Sequence, residues 1–266
     1  MAKSVRILTF LGTAALAAAL AGPALAGQKI DITFNPDDFD DPLTIDNPYW
    51  PLVPGTTYSY AAGGDDECEL DVFRVTNEVE VILGVQTRVV QDDAYIDENC
   101  NGVLDAGEPQ AETTKDWHAQ DDDGNVWYFG EDTRECDEGG CNDPAGSWKA
   151  GENGALPGIF ILAEPHPGDQ HFQEIAEDEA EDQVKYLRLK VWVSLYRDDA
   201  VPPGEFHRCW ETKEWTKLDP GHVEHKFYCP RRNGAFEGGL VAVDELKGKT
   251  VRFELVDIVT PYTNLH

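Results

Sequence analysis

Apolar and polar residues alternate with a period of two along much of the chain. From Cys68 onward, the apolar residues Cys68, Leu70 and Val72 fall on one side, and acidic residues occupy the positions between them. The same alternation returns at residues 250–259. Because successive side chains of a strand point to opposite faces of a sheet, this pattern predicts a mostly β protein with half-buried strands and acids facing solvent.

Two segments have the form of a β-hairpin. In residues 116–130, aromatic-rich strands flank a turn at 121–125 that contains glycine and asparagine. In residues 209–229, two strands surround a Pro-Gly turn, and one register places Cys209 opposite Cys229. Turn residues of this kind between alternating strands are typical of antiparallel hairpins. A disulfide between the two cysteines would clamp the open end of the second hairpin.

The segments combine into one predicted domain, since the chain shows no fixed-period repeat and no linker. Residues 47–266 are predicted to form a single antiparallel-sheet domain, either a sandwich or a half-barrel-like sheet, stapled by disulfides. Residues 27–46 contain six aspartates with little apolar periodicity, which predicts a solvated acidic lead-in. Residues 172–195 mix helical and strand spacing, and we expect a strand with a helical turn near its start.

The N-terminal residues 1–26 have the pattern of a secretory signal peptide. Lys3 and Arg6 precede an apolar run at 7–20, and Ala-Leu-Ala at 24–26 offers a cleavage site. The alternative is a membrane anchor, which is disfavoured because the run is shorter than the roughly 20 residues that a span needs. We therefore expect a secreted or periplasmic protein with no membrane insertion after signal cleavage.

Export makes the cysteines interpretable, because disulfides form and persist in oxidising compartments. The chain has six cysteines: Cys68, Cys100, Cys136, Cys141, Cys209 and Cys229. Six cysteines allow about 15 connectivities. Local spacing favours Cys136 with Cys141 and Cys209 with Cys229, which leaves Cys68 with Cys100. A thiolate zinc site is the rival interpretation, but the sequence lacks the paired Cys-x-x-Cys spacing of such sites.

The charge balance limits the classes of partner. The chain has 51 acidic and 21 basic residues, a formal charge of −30, with 41% hydrophobic residues. Proteins that bind nucleic acid neutralise phosphates with lysine and arginine, so this excess of acid excludes a nucleic-acid binder of that kind. The apolar content is high enough for a packed core.

One segment has the spacing of a metal site. Residues 97–108 place oxygen-bearing side chains at positions 1, 3, 5, 9 and 12 of a twelve-residue loop, with glycine at position 6. Calcium takes six to eight oxygen ligands, and such a loop supplies them from side chains and one carbonyl. The candidate ligands are Asp97, Asn99, Asn101, Val103 through its carbonyl, Asp105 and Glu108. The rival interpretation is an acidic surface loop stapled through Cys100.

These twelve residues resemble the EF-hand-type calcium loop and the Asn-Cys-Asp-Gly-like metal-binding repeats of secreted bacterial proteins. Pro109 follows the final glutamate where the EF-hand family has an apolar helical residue, and neither flank has a helical pattern. The resemblance therefore implies an isolated structural calcium site between strands, with an affinity of about 10⁻⁴–10⁻³ M.

Other groupings of polar residues carry weaker signals. His222, Glu224 and His225 are close in sequence, but a strand would point His225 away and leave no third ligand. The acids of residues 174–182 could supply the paired carboxylates of a glycosidase. The chain has seven tryptophans, which could form a carbohydrate platform or pack in the core. No nucleophile elbow, zinc-protease helix or phosphate loop is present.

Longer stretches resemble an uncharacterised class of secreted bacterial β-domains. The matching residues begin with Asn-Pro-Tyr-Trp-Pro-Leu at 47–52, continue with Asp-Trp at 116–117 and Gly-Asn-Val-Trp-Tyr-Phe-Gly-Glu-Asp at 124–132, and include Lys-Glu-Trp-Thr at 213–216. Together with shorter matches they span most of 47–229. The resemblance implies a compact antiparallel domain and no particular chemistry.

Taken together, these patterns favour an exported β-protein that acts as a binding or envelope-associated module, stabilised by calcium. Its partner would be an unidentified ligand, with a carbohydrate and an envelope protein as the two candidates. The absence of a catalytic motif makes an enzyme the less favoured class. The alternative function is a secreted glycan-active hydrolase with paired carboxylates near surface tryptophans.

Overall fold

The structure is a computed structural model that describes residues 27–63, 68–144, 146–197, 205–232, 236–247 and 249–261. The expected signal peptide at 1–26 lies outside the described residues. Within the described residues, strands and turns are accompanied by one short 3-10 helix, Pro36–Asp38, and by no α-helix. The strands are β1 (Thr57–Gly63), β2 (Cys68–Ile82), β3 (Val85–Ile96), β4 (Gln110–Gln120), β5 (Val126–Asp137), β6 (Gly140–Asp143), β7 (Trp148–Lys149), β8 (Leu156–Ile161), β9 (Gln170–Phe172), β10 (Glu174–Ile175), β11 (Gln183–Ser194), β12 (Glu205–Trp215), β13 (Glu224–Arg232), β14 (Phe236–Lys247) and β15 (Lys249–Val259).

All these strands belong to one antiparallel sheet that is nearly closed into a barrel. β1 to β5 form one meander and β11 to β15 form another, and the pairing of β1 with β15 joins the two. The two free edges meet through residues 170–175. There, β9 pairs with β11, and β10, which follows almost at once, pairs with β8. Of the two predicted architectures, the barrel-like sheet is confirmed.

Both predicted hairpins are confirmed. β4 and β5 pair on either side of the turn at 121–125, where Asp121 accepts hydrogen bonds from the backbone and side chain of Asn125. β12 and β13 pair in the expected register, with Trp210 opposite Tyr228 and Glu214 opposite Glu224. Glu214 of β12 and Glu224 of β13 therefore face each other, and both return in the site described below.

The predicted disulfides are also present. Cys68 pairs with Cys100, Cys136 with Cys141, and Cys209 with Cys229. The first of these ties the loop after β3 to the start of β2. Among the described residues no cysteine is free. The described residues also contain no helix with the length and hydrophobicity that a membrane crossing requires.

The acidic lead-in at 27–46 is more ordered than its composition suggests. Phe39 and Ile45 are buried, and the ring of Phe34 packs edge-on against Trp127 and Phe129 at 5.9 and 5.7 Å between centroids. The expectation of a purely solvated segment is therefore wrong for its apolar residues. They contribute to the aromatic core beneath β5, while the aspartates between them stay near solvent.

β2 alternates as predicted, but the prediction that all of its acids face solvent is wrong. Leu70 and Val72 pack in a small cluster with Ala61 and Val256 on one side of the sheet. Glu69 is exposed, as expected. Asp71, however, faces a cavity inside the barrel together with Phe73. The reason is that this stretch of the sheet has apolar groups on its outer face and acids on its inner one, the reverse of a simple β-domain.

Candidate functional site

The barrel interior contains a cavity of about 310 Å³. On β4, the side chains of Glu112, Thr114, Asp116 and His118 all line it. These positions are two residues apart, so the pleat of a single strand presents a row of four polar groups to the interior. Neighbouring strands contribute in the same way, and the curvature of the sheet brings their rows together.

The cavity wall is strongly acidic. Among the described residues that line it, eight carry carboxyl groups and only Lys226 carries an ammonium group. The acids come from seven different strands: Asp71, Asp92, Glu112, Asp116, Glu131, Glu174, Glu224 and Glu245. The pKa values of all of them except Glu224 are raised, chiefly by burial, because a carboxylate loses the solvation of bulk water there.

Asp71 and Asp92 form a carboxyl pair across β2 and β3. Their side chains hydrogen-bond to each other, which requires a proton on one of the two groups. Burial and then the charge of Asp92 raise the pKa of Asp71 well above its usual range. Burial also raises the pKa of Asp92, against the opposing effect of the hydrogen bond. The pair therefore holds a proton that a cation placed beside it would displace.

A second acidic group is built around Tyr128. Its hydroxyl lies 2.6 Å from Oδ1 of Asp116 and 3.0 Å from Oε2 of Glu131. A phenol has one proton to donate, so both hydrogen bonds form together only when one carboxyl is protonated and donates to the phenol oxygen. Burial raises the pKa of Glu131 to about 7 and that of Asp116 well above its usual range. Asp116, Tyr128 and Glu131 together therefore also hold a proton that a bound cation would displace.

Lys226 is the counter-charge, but it is already paired. Its Nζ lies 3.0 Å from Glu214 and 2.9 Å from Glu224. Burial acts to lower the pKa of Lys226, yet the two carboxylates outweigh it and the pKa is raised well above its usual range. Burial acts to raise the pKa of Glu224, but the ammonium group outweighs it and the pKa is lowered. Among the described residues that line the cavity, no other lysine or arginine is present to pair with the remaining acids.

Aromatic rings form another part of the wall, centred on Trp50. Its ring lies 4.7 Å from Phe160, 5.2 Å from Phe73 and 5.8 Å from Tyr228, measured between centroids. The ring of His118 stacks on Tyr128 at 4.9 Å. The cavity thus combines carboxyl groups with flat apolar surfaces, which is the composition of a small-molecule site more than of a solvated channel.

Two ring nitrogens in this wall have no hydrogen-bond partner among the described residues. They are Nε1 of Trp50, whose residue is 6% exposed, and Nδ1 of His118, whose residue is 2% exposed. Burial lowers the pKa of His118 to about 3, so its ring is neutral near pH 7. Buried polar groups in native proteins normally have a partner, and an orphan in a cavity wall points to something bound there. Sequence reasoning assigned neither residue to this site, since Trp50 lies in an aromatic-proline segment before β1 and His118 in an aromatic strand pattern typical of core packing.

The structure supplies the third residue that the His222 and Glu224 pattern lacked. Glu245 of β14 lies directly opposite Glu224, and the ligand atoms of His222, Glu224 and Glu245 lie within 4.8 Å of one another. His225 is not part of the group and instead approaches Glu211 at 3.2 Å. Glu224 and Glu245 line the cavity, and together with His222 they could hold a metal ion. The sequence could not show this because Glu245 arrives from a different strand.

The loop at 97–108 connects β3 to β4 and gathers its predicted ligands. Asp97 is buried and accepts hydrogen bonds from the backbone N–H groups of Asn101 and Gly102. The carboxylate of Asp105 lies 2.7 and 2.9 Å from the amide nitrogens of Asn99 and Asn101. Val103 is exposed, and Oε2 of Glu108 accepts the backbone N–H of Asp105. The side chains therefore converge, and occupation by calcium stays a prediction.

The other sequence candidates lie mainly outside the cavity. Within the acidic stretch at 174–182, Glu174 lines the cavity, whereas 177–179 are exposed. Five tryptophans are buried: Trp50, Trp117, Trp127, Trp148 and Trp210. Trp192 is 72% exposed, and Trp215 is half-buried. Most tryptophans are therefore core residues, and they do not combine into one exposed platform.

Comparison with known proteins adds a fold similarity. No family model and no curated protein matches the chain. Among solved structures, the chain is similar to the crystal structure of a "putative lipoprotein from Parabacteroides distasonis ATCC 8503", with 10% identity and a TM-score of 0.37. That similarity covers 80% of this chain and 99% of the other. At this level it assigns no function, and the cavity's own residues define the site.

Proposed function

We propose that this protein is an exported binding module whose barrel interior takes a small molecule. The observation that carries the proposal is the cavity of about 310 Å³ in which the buried polar atoms of Trp50 and His118 have no partner among the described residues. Ligand pockets of soluble proteins span about 300–1,000 Å³ and combine apolar walls with a few convergent polar groups. The closed sheet supplies both features and holds them on rigid strands.

A blocking substitution tests this function. Leu240 lines the cavity, so replacing it by tryptophan should fill the space. We expect at least one of four probes at 10 mM (1,5-diaminopentane, pentane-1,5-diol, glutarate or arabinose) to raise the thermal midpoint of the wild type, because a ligand that binds the folded state stabilises it. The same probe should leave Leu240→Trp unchanged. Differential scanning calorimetry makes the comparison.

Leu218→Trp is the matched control, because Leu218 is 45% exposed in the β12–β13 turn. It should respond like the wild type. If Leu240→Trp does not unfold cooperatively, Val243→Phe offers a second way to fill the cavity. A probe that shifts wild type and blocked variants equally, or the absence of any shift, would contradict binding in the cavity.

The geometry favours binding over glycan hydrolysis. The acid pairs of glycosidases are separated by about 5–5.5 Å or by about 6.5–9.5 Å, which leaves room for the sugar or for water. Asp71 and Asp92 are instead in direct hydrogen-bond contact. Among the described residues that line this cavity, Trp50 is the one tryptophan, so the cavity lacks the set of tryptophans that a sugar-stacking platform beside it would need.

The loop at 97–108 completes the proposal as a structural calcium site. Five side chains that calcium prefers lie within one hydrogen-bonded turn, and the disulfide at Cys100 anchors that turn to β2. Asp105 and Glu108 concentrate negative charge at the loop's second half, and a cation between them would relieve their repulsion. Calcium would then fix the connection between β3 and β4, two strands that carry three of the cavity's acids.

Calcium is expected to stabilise the protein measurably. With an affinity near 10⁻³ M, 10 mM calcium should add about 1.4 kcal/mol to the free energy of unfolding. For a chain of this size that corresponds to a rise in thermal midpoint of about 3–6 °C relative to excess chelator. Scanning calorimetry of wild type and of the variant Asp105→Asn/Glu108→Gln checks this, and the variant should lose the response. An unchanged wild-type midpoint would remove calcium from the proposal.

A further inference from the structure

The cavity's charge identifies what kind of small molecule would suit it, and this inference rests on the proposed function. Eight carboxyl groups face one ammonium group that is already paired with Glu214 and Glu224. An anionic ligand would be repelled by ionised carboxyl groups of the cavity. A neutral ligand would leave the repulsion among those groups unrelieved. A cation entering the cavity would allow the acids to release their protons and to interact with it as carboxylates.

The size and lining of the cavity favour an organic cation over a bare metal ion. A metal ion is held by oxygen atoms in direct contact at about 2–2.6 Å, which needs a far smaller space than about 310 Å³. The aromatic rings of Trp50, Phe73 and Phe160 offer no metal ligand, but their faces attract ammonium groups. Organic cations combine an apolar body with a charge and so match both parts of this wall.

The unpaired polar atoms provide an independent observation. Both Trp50 and His118 are more than nine-tenths buried, line the cavity, and keep a ring nitrogen without a partner among the described residues. An indole N–H donates only. It is therefore suited to an oxygen or other acceptor atom on the bound molecule, or to a water held between them.

The two acidic groups lie on adjacent pairs of strands. Asp71 and Asp92 join β2 and β3, while Asp116 and Glu131 join β4 and β5 through Tyr128. The charge of Asp92 acts on Asp116, so the two groups share one electrostatic region. We infer that the cavity binds a small organic ammonium compound, with its amino groups at these carboxyls and its carbon chain against the aromatic wall around Trp50.

Isothermal titration calorimetry with three probes of equal length tests the inference. We expect 1,5-diaminopentane to bind wild type, and pentane-1,5-diol and glutarate to bind at least tenfold more weakly. Asp71→Asn/Asp92→Asn should weaken diamine binding at least tenfold. The control Asp123→Asn/Asp257→Asn makes the same two replacements at exposed positions and should change affinity by less than twofold. Glu245→Gln is the second cavity variant, used if the first does not fold.

The outcomes distinguish the ammonium assignment from the proposed binding function on which it rests. Binding of the diol or glutarate as tightly as the diamine would keep a ligand cavity and overturn the ammonium assignment. Zinc or calcium binding that Glu245→Gln abolishes, without diamine binding, would also overturn it in favour of a metal at His222, Glu224 and Glu245. Diamine binding that the exposed-site control weakens equally would show bulk charge attraction only. No binding of these three probes to wild type up to 10 mM would overturn the ammonium assignment, and the further absence of any response to arabinose would overturn the binding cavity as well.

Discussion

Replacing Gly158 by alanine is expected to lower the free energy of unfolding by about 3 kcal/mol. Gly158 lies on β8 opposite Tyr128 of β5, and its other side faces the segment that closes the barrel. A Cβ atom there would lie 2.1 Å from the carbonyl oxygen of Gln173 and 2.4 Å from its carbonyl carbon. These are backbone atoms, so relief requires β8 and β10 to separate. Urea unfolding measures the loss.

The control is Gly63→Ala, because a Cβ on Gly63 would meet its nearest described atoms at 3.6 and 3.9 Å, an ordinary contact distance. Its stability should stay within about 0.5 kcal/mol of the wild type. Separation of β8 and β10 would also displace Glu174 from the cavity wall, so Gly158→Ala should bind 1,5-diaminopentane more weakly. Wild-type stability in Gly158→Ala would show that the barrel is not closed at this point.

The protein is expected to lose stability as the pH rises from 5 to 8, by about 3 kcal/mol from Glu131 alone. Burial raises the pKa of Glu131 from 4.5 to about 7. The groups that face it are Tyr128, Thr133, Glu112, Asp116, Glu174 and Asp182. None of these is a cation, so the folded state holds the proton that the unfolded state releases near pH 4.5.

The direction of the change in stability with pH follows from the number of protons that each state binds. Between about pH 4.5 and 7 the folded protein binds more protons at Glu131 than the unfolded chain does, so stability falls as pH rises through this window. Below the lower limit both states are protonated and the contribution is fully present. Glu131→Gln should therefore reduce the fall between pH 5 and 8 by at least about 1 kcal/mol. The exposed-site variant Glu177→Gln should not. Urea unfolding at both pH values compares the three proteins, and a wild type that gains stability across this range would contradict the acidic cavity.

Local patterns in the sequence predicted much of the fold. The period-two alternation predicted the strands, and turn residues located both hairpins. The even number of cysteines and the register of the second hairpin predicted the pairing of Cys209 with Cys229. These features depend on residues that are neighbours in the chain or across one turn. Closure of the barrel depends on residues 170–175 pairing with strands on both sides, and no local pattern encodes that.

The sequence did not predict the cavity, for a related physical reason. An acid that alternates with apolar residues gives the same pattern whether its face meets solvent or a polar interior, so Asp71 looked like a surface residue. The sequence showed Glu174 within a run of acids and Glu224 beside His222, but their common environment exists only after the sheet closes. The loop at 97–108 could be proposed as a calcium site from the sequence because all its candidate ligands lie within twelve consecutive residues.

The most direct test of the binding cavity is the nuclear magnetic resonance signal of the tryptophan indole N–H groups during titration with 1,5-diaminopentane. Trp50 lines the cavity with its N–H unpaired among the described residues, whereas Trp192 is 72% exposed outside it. We expect the Trp50 signal to move in a saturable manner and the Trp192 signal to stay in place. A Trp50 signal that does not move while the diamine binds elsewhere, or does not bind, would contradict a ligand site inside the barrel.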